Sequence, residues 1–149
     1  MTEPLTIPVA VDIVALTVIE HTLHALVVRR GIEPFKDHLA LPGGFLRDGE
    51  QTEEAAAREL EEETGIIAQS WQKLGEAYVC NGLMTEKMAI FLARELSFTG
   101  QREQSDELFS DMRFFTLDEI NELIRNGEIN DCQTLAGLHY YQLWRKDTV

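Results

Sequence analysis

The stretch 41–66, LPGGFLRDGEQTEEAAARELEEETGI, constrains this chain more than any other. A glycine pair, Gly43 and Gly44, opens a turn, and a strongly acidic run then reads as helix until Gly65. Thr52 is the expected N-cap, with Glu53 and Glu54 in the first turn, where the helix dipole favours negative charge. Gly65 suits the left-handed position just past a helix end. The helix predicted over 53–64 is about 18 Å long at ~1.5 Å per residue. At ~100° per residue, Glu59, Glu62 and Glu63 fall on one side. Ala56, Ala57 and Leu60 share a neighbouring side and read as the core contact. Ala55, one turn before Glu59, is small enough to leave room on the acidic face. Three carboxylates on one face repel each other unless something cationic sits among them. Hard oxygen donors at this spacing suit Mg²⁺, with Mn²⁺ as the alternative.

Length and charge set outer bounds. With 149 residues the chain suits one domain, 1–149, with a real core. Its hydrophobic content of 44% argues for a globular protein rather than disorder. The formal net charge of −13 argues against binding nucleic acid or anionic membrane without specificity. It also repels phosphates, so an anionic substrate needs a divalent cation at the site. Cys80 and Cys132 form no metal spacing, and two isolated thiols suit a reducing, cytoplasmic setting. The stretch before the first strand is acidic where a signal peptide is basic, and no apolar run reaches membrane-spanning length.

Along the chain, 9–18 is rich in β-branched residues and reads as a buried strand, returning through a turn at 20–22 into a strand at 23–29. A polar loop covers 29–38, and Leu39 and Leu41 belong to a short strand entering the glycine turn. Strands are predicted at 71–80, 88–96 and 112–115, with a turn or loop at 81–87. The segment 98–110 reads as an acidic surface loop. A helix at 117–125 takes Thr116 as N-cap, with Gly127 near its end. A last helix begins at Asp131 and runs to about Arg145, with Leu135, Leu138, Tyr141 and Leu143 among its apolar residues. Strands interleaved with and followed by helices predict an α/β fold, a mixed sheet covered on both faces.

Gly44, five residues, Glu50, seven residues, then Arg58-Glu59-Leu60-Glu61-Glu62-Glu63-Thr64-Gly65-Ile66 resembles the Nudix box, G-x5-E-x7-R-E-U-x-E-E-x-G-U with U aliphatic, and matches it at every fixed position. The resemblance implies the Nudix-type α/β/α sandwich and metal-dependent hydrolysis of a nucleoside diphosphate linked to another group, a small-molecule nucleotide substrate. It implies metal ligands at Glu59, Glu62 and Glu63, with a carbonyl oxygen from Gly44. Arg58 and Glu50 are implied as a pair that ties the turn to the helix and aims the ligands, and Glu61 points away into solvent. Glu62 and Glu63 join Arg58 in the catalytic set. Metal-bound carboxylates are poor proton acceptors, so a further base is wanted. The loop TGQREQSDELFS offers Glu103, Asp106 and Glu107, and Glu107 lies in a run that resembles the family's usual entry to the next strand.

The segments TEKMAIFLARELSFTG and LDEINELIRNGEINDCQTLAGLHYYQLW are similar to parts of ADP-ribose pyrophosphatases, which implies cleavage of ADP-ribose to AMP and ribose 5-phosphate. The alternatives are a nucleoside triphosphate pyrophosphatase, including one for oxidised dGTP, and a non-catalytic ADP-ribose sensor. Relatives of this kind also form homodimers. For substrate contacts, Arg29 and Arg30 offer phosphate ligands, while Phe35, Tyr78 and Trp71 offer rings for a base; the competing readings are a solvated arginine pair and ordinary core aromatics. The four histidines are scattered and form no metal spacing.

Overall fold

The computed structural model describes residues 7–33, 35–99 and 109–148. The elements run β1 (Val9–Ile19), β2 (Thr22–Arg30), β3 (Leu39–Ala40), β4 (Gly43–Phe45), α1 (Thr52–Thr64), β5 (Ile66–Tyr78), β6 (Lys87–Phe98), β7 (Phe109–Thr116), α2 (Leu117–Arg125) and α3 (Cys132–Thr148). The sheet order is β3-β2-β1-β6-β5, with β4 on β1 and β7 on β2. Only the β1–β6 pair is parallel among these ladders, so the sheet is mixed as expected.

Strand β1 organises the sheet. One edge runs beside β6 from Val9 to Ala15. The other edge changes partner: residues 10–12 pair with β4, and residues 16–19 pair with β2. The sheet therefore divides along β1, and Leu41 and Pro42 bridge the gap. The Ile13 amide donates to the Pro42 carbonyl at 2.9 Å, which fixes that crossing.

Alternate residues of β1 face opposite layers, the period of two expected of a strand. Ala10, Val14 and Leu16 join Val27, Leu39, Ile90 and Ile120 in a core shared with α2 and α3, where Leu138 and Tyr141 are also buried. Val11, Ile13 and Ala15 join Leu26, Phe91 and three residues of α1, Ala55, Ala56 and Leu60. Both faces are covered, which explains a near-continuous apolar run in β1. Asp12 breaks that run and is 7% exposed.

Several local expectations shift. Ala55 is fully buried and Ala57 only partly, so the buried face of α1 is rotated by one residue from the expected Ala56–Ala57–Leu60 stripe. The N-cap of α1 is Gln51 rather than Thr52; its amide donates to the Glu54 carboxylate at 3.1 Å and its carbonyl accepts from Ala55 at 3.0 Å. Gly65 does end the helix in the left-handed region, at φ 70°. Strand β5 starts at Ile66, directly after the helix, five residues earlier than expected. An irregularity between Lys73 and Gly75 disturbs its register and hid its periodicity. Lys87 and Phe98 lie in β6, and Phe109 and Ser110 in β7, so these ends of the expected loops are strand. Thr116 caps α2 as expected, in a reciprocal capping box with Glu119. Leu135 and Leu143 on α3 are partly solvent-facing, at 38% and 46% exposed. Both cysteines are free. No helix among the described residues is long and apolar enough to cross a membrane.

Candidate active site

The glycine turn and α1 form one bonded unit through Arg58. Its Nε donates to Glu50 Oε2 at 2.7 Å and its Nη2 to Glu50 Oε1 at 2.9 Å, a bidentate fork. Nη2 also reaches the Phe45 carbonyl at 3.0 Å. Nη1 reaches Glu59 Oε1 at 2.7 Å and Glu62 Oε2 at 3.1 Å. The Arg58 hydrogen bonds hold the Glu50 carboxyl down to about 2, and the Glu50 carboxylate raises Arg58 further above its ordinary range. One planar side chain thus joins the turn to three positions of the box.

The acidic face of α1 is divided rather than convergent. Glu62 turns to the cations: beside Arg58, Arg47 Nη2 stands 3.3 Å from Glu62 Oε2. Glu59 shares Arg58 Nη1 with Glu62 but lies beside Glu63, whose Oε2 accepts from the Gly43 amide at 3.2 Å. Like charges so close are costly, and the carboxyl of Glu63 shifts upward through burial first and the Glu59 charge second. Glu59, Glu62 and Glu63 do not share one focus in this arrangement: among the described residues no three His, Cys, Asp or Glu side chains converge as a group that could hold a metal ion. The physical reason is that Glu62 finds guanidinium partners on the outer side of the helix. Glu61 is partly buried rather than fully solvated.

Gly44 is required for this packing. A Cβ there would lie 2.4 Å from Glu59 Oε1, so the carboxylate fills the space a side chain would take. The oxygen-rich set of Glu59, Glu63 and the Gly44 backbone, crowded and carrying like charge, fits a hard divalent cation. A further carboxylate, unnoticed in the sequence, supports that fit. Asp12 on β1 stands beside Gly43, and its Oδ2 is buried without a hydrogen-bond partner. Burial, then the charges of Asp131 and Glu86, push its carboxyl up to about 7. A polar residue at one position of an otherwise apolar strand was the available signal.

The other expected site residues scatter. Arg29 lies on β2, with Nη1 on the Asp37 carbonyl at 2.9 Å. Arg30 follows it, its backbone paired with Asp37 and His38. Phe35 is 66% exposed, at φ 64°, and meets His38 edge-on. Tyr78 is 59% exposed at the end of β5. Trp71 is committed elsewhere: Nε1 bonds the Ala68 carbonyl and the ring packs on Phe91, in keeping with its reading as a core aromatic. Glu103, Asp106 and Glu107 lie outside the described residues.

Residues 6–135 match a family model described as the NUDIX domain. The chain belongs to the Nudix family. This Nudix chain is 36% identical to an ADP-ribose pyrophosphatase of Bacillus subtilis over 69% of its own length and 56% of that protein's. It is 31% identical to a methanol dehydrogenase activator of Bacillus methanolicus over 91% of its own length and 73% of the relative's. The chain thus spans little more than half of the first relative. A solved structure described as an ADP compounds hydrolase superposes with a TM-score of 0.81, at 24% identity, over 96% of this chain and 75% of the other; that likeness concerns the Nudix fold.

Proposed function

We propose that this chain, as a single Nudix domain, hydrolyses the pyrophosphate bond of a nucleoside diphosphate linked to another group, with ADP-ribose cleaved to AMP and ribose 5-phosphate. The observation that carries the reading is the crowded Glu59–Glu63 pair at the glycine turn, a cation site by its charge and donor chemistry. Mg²⁺ is the proposed metal, with Mn²⁺ as the substitute, and when bound it neutralises phosphate charge and lowers the pKa of a coordinated water. Glu59 and Glu63 would hold it with the Gly44 carbonyl. Arg58 keeps Glu59 aimed, and its bidentate ion pair with Glu50 resists displacement by the anionic substrate. Glu62 sits one helical step from the pair, and we assign it to the same cluster after a change of rotamer away from Arg47. Glu107 is the proposed acceptor of the water's proton. ADP-ribose, as the substrate named for the Bacillus subtilis relative, is favoured over a nucleoside triphosphate. Retention of every box carboxylate favours an enzyme over a sensor.

Chromatography of products from equal concentrations of ADP-ribose, dGTP and oxidised dGTP with Mg²⁺ tests the substrate. AMP with ribose 5-phosphate, at the highest kcat/KM, is expected; a higher value for either triphosphate moves the chain to the triphosphate class. In the same assay Glu62→Gln and Glu63→Gln should each lose activity on the order of 10²-fold or more while remaining folded. Near-wild-type turnover in both at saturating Mg²⁺ removes the box as the reacting centre.

A further inference from the structure

Among the described residues Asp12 is the one buried charged side chain, 7% exposed. It shares the strand face of Ala10, Val14 and Leu16, the face that α3 covers. Backbone pairing sets it between Gly43 on β4 and Ile90 on β6. Helix α3 lies close over this point. A Cβ on Gly137 would meet the side chains of Leu41, Ile90 and Val14 at 2.7, 3.8 and 3.9 Å. The first turn of α3 is seated on both flanks of Asp12. On the β4 side the Leu41 amide donates to Thr134 Oγ1 at 3.1 Å, and on the β6 side Gln133 Nε2 donates to Glu86 Oε1 at 3.4 Å. Asp131 caps the same turn, its Oδ1 accepting from the Thr134 amide at 2.8 Å.

Three segments thus bring Asp12, Glu86 and Asp131 to one end of α3. Burial first, then the charges of Asp131 and Glu86, push the Asp12 carboxyl upward. Lys87, next in the chain, is engaged by Glu76. Asp12 Oδ2 is buried without a hydrogen-bond partner, although a carboxylate offers about four acceptor sites. A buried acceptor without a donor costs stability, and neighbouring carboxylates repel. The positive end of α3, about half a charge, offsets little of this. A divalent cation answers both costs, by taking the free oxygen and neutralising the charge. The side chains do not converge as a direct ligand set. That suits Mg²⁺, which binds through one or two carboxylates and keeps several of its waters.

We propose that Asp12 is the inner ligand of a second divalent-cation site, on the α3 side of the sheet, with Glu86 and Asp131 reaching the ion through its waters. Both outer carboxylates are partly exposed, which gives the hydrated ion its way in. The site goes beyond the box cation, which Glu59 and Glu63 would hold, and it needs no nucleotide. The rival arrangement is internal: Asp12 stays protonated beneath α3 and serves packing alone.

Mn²⁺ titration of the full chain without nucleotide tests it, read by the paramagnetic resonance signal of the free ion. Salt at about 0.15 M screens diffuse surface binding. The wild type should show two classes of Mn²⁺. Asp12→Asn should weaken one class ~100-fold and leave the other, and Glu59→Gln should do the reverse. Glu86→Gln and Asp131→Asn, which keeps the helix cap, should each weaken the Asp12 class ~10-fold. These two partly exposed positions keep the test open if Asp12→Asn does not fold. A single class in the wild type, both classes unchanged in Asp12→Asn, or Asp12→Asn and Glu59→Gln weakening the same class overturns the proposal. Unchanged binding in both Glu86→Gln and Asp131→Asn overturns it as well. A chain that keeps the Asp12 class yet hydrolyses no nucleotide with Mg²⁺ retains this site and removes the proposed function. Hydrolysis by a chain with the box class alone does the opposite.

Discussion

Asp12 shows how one buried residue sets a pH response. Its neighbours in charge are Asp131 at the start of α3, Glu86 before β6, and Glu63 on α1. None is cationic, and burial raises the carboxyl from 3.8 to about 7. Between those values the folded chain keeps a proton that the unfolded chain has lost. Stability of the metal-free protein should therefore fall as pH rises through that window, by on the order of 4 kcal/mol at most from this group. The loss is complete above pH 7, where both states are ionised. Glu50, held down to about 2, contributes the opposite slope, with stability gained between pH 2 and 4.5. Urea unfolding at intervals from pH 4 to 8 in EDTA reads the difference. Asp12→Asn should make the fall shallower, leaving the share that the raised Glu63 carboxyl contributes, and be more stable than wild type at pH 8; an unchanged slope in the variant locates the titration elsewhere.

At the scale of elements, the glycine turn and α1 act as a single device. The Cβ of Gly44→Ala would overlap the Glu59 carboxylate at 2.4 Å. The flexible end of a glutamate moves at small cost to the fold, yet the Glu59–Glu63 pair must separate. This variant is expected to melt within a few degrees of wild type and to lose activity on the order of 10²-fold. Wild-type kcat in a folded Gly44→Ala would exclude the pair from the reacting centre. The segment joining β6 to β7 carries the other element-scale prediction. Glu107→Gln should lower kcat on the order of 10²-fold with little change in KM, and Glu103→Gln should do much less. A crippled Glu103 variant keeps the segment and changes the residue; no effect from either places the base in the box.

For the whole molecule, a net charge of −13 means self-repulsion that bound cations relieve. A metal that binds only the folded chain stabilises it by mass action, about 2.7 kcal/mol at a hundred times the Kd. Tm should rise with Mg²⁺ in the wild type, and Glu63→Gln should flatten that rise without lowering Tm in EDTA, since it removes a like charge. An equal Mg²⁺ shift in the variant would point to diffuse surface binding instead. The predicted strands, the box helix and the last two helices are present because they depend on patterns that neighbours in sequence complete: apolar runs in β1 and β6, a capping threonine before α2, a glycine after α1. The Arg58–Glu50 contact was likewise legible, through the box resemblance, and the side chains meet in a bidentate fork.

What the chain alone determined is therefore the local code and the family pattern: which segments are helix or strand, and which carboxylates cluster on one helix. Tertiary structure decided how those carboxylates are shared. Glu62 faces Arg47 and Arg58, while Glu59 and Glu63 face each other, because the turn 43–47 folds back over α1. It decided that Trp71 serves the core, since Phe91 and the Ala68 carbonyl take both its ring and its N–H. It brought Asp12 next to Gly43 across a strand pair, and Arg113 opposite Val27 across another. Such meetings join residues some thirty to eighty positions apart, and no period within one element encodes them; the division of the sheet along β1 does.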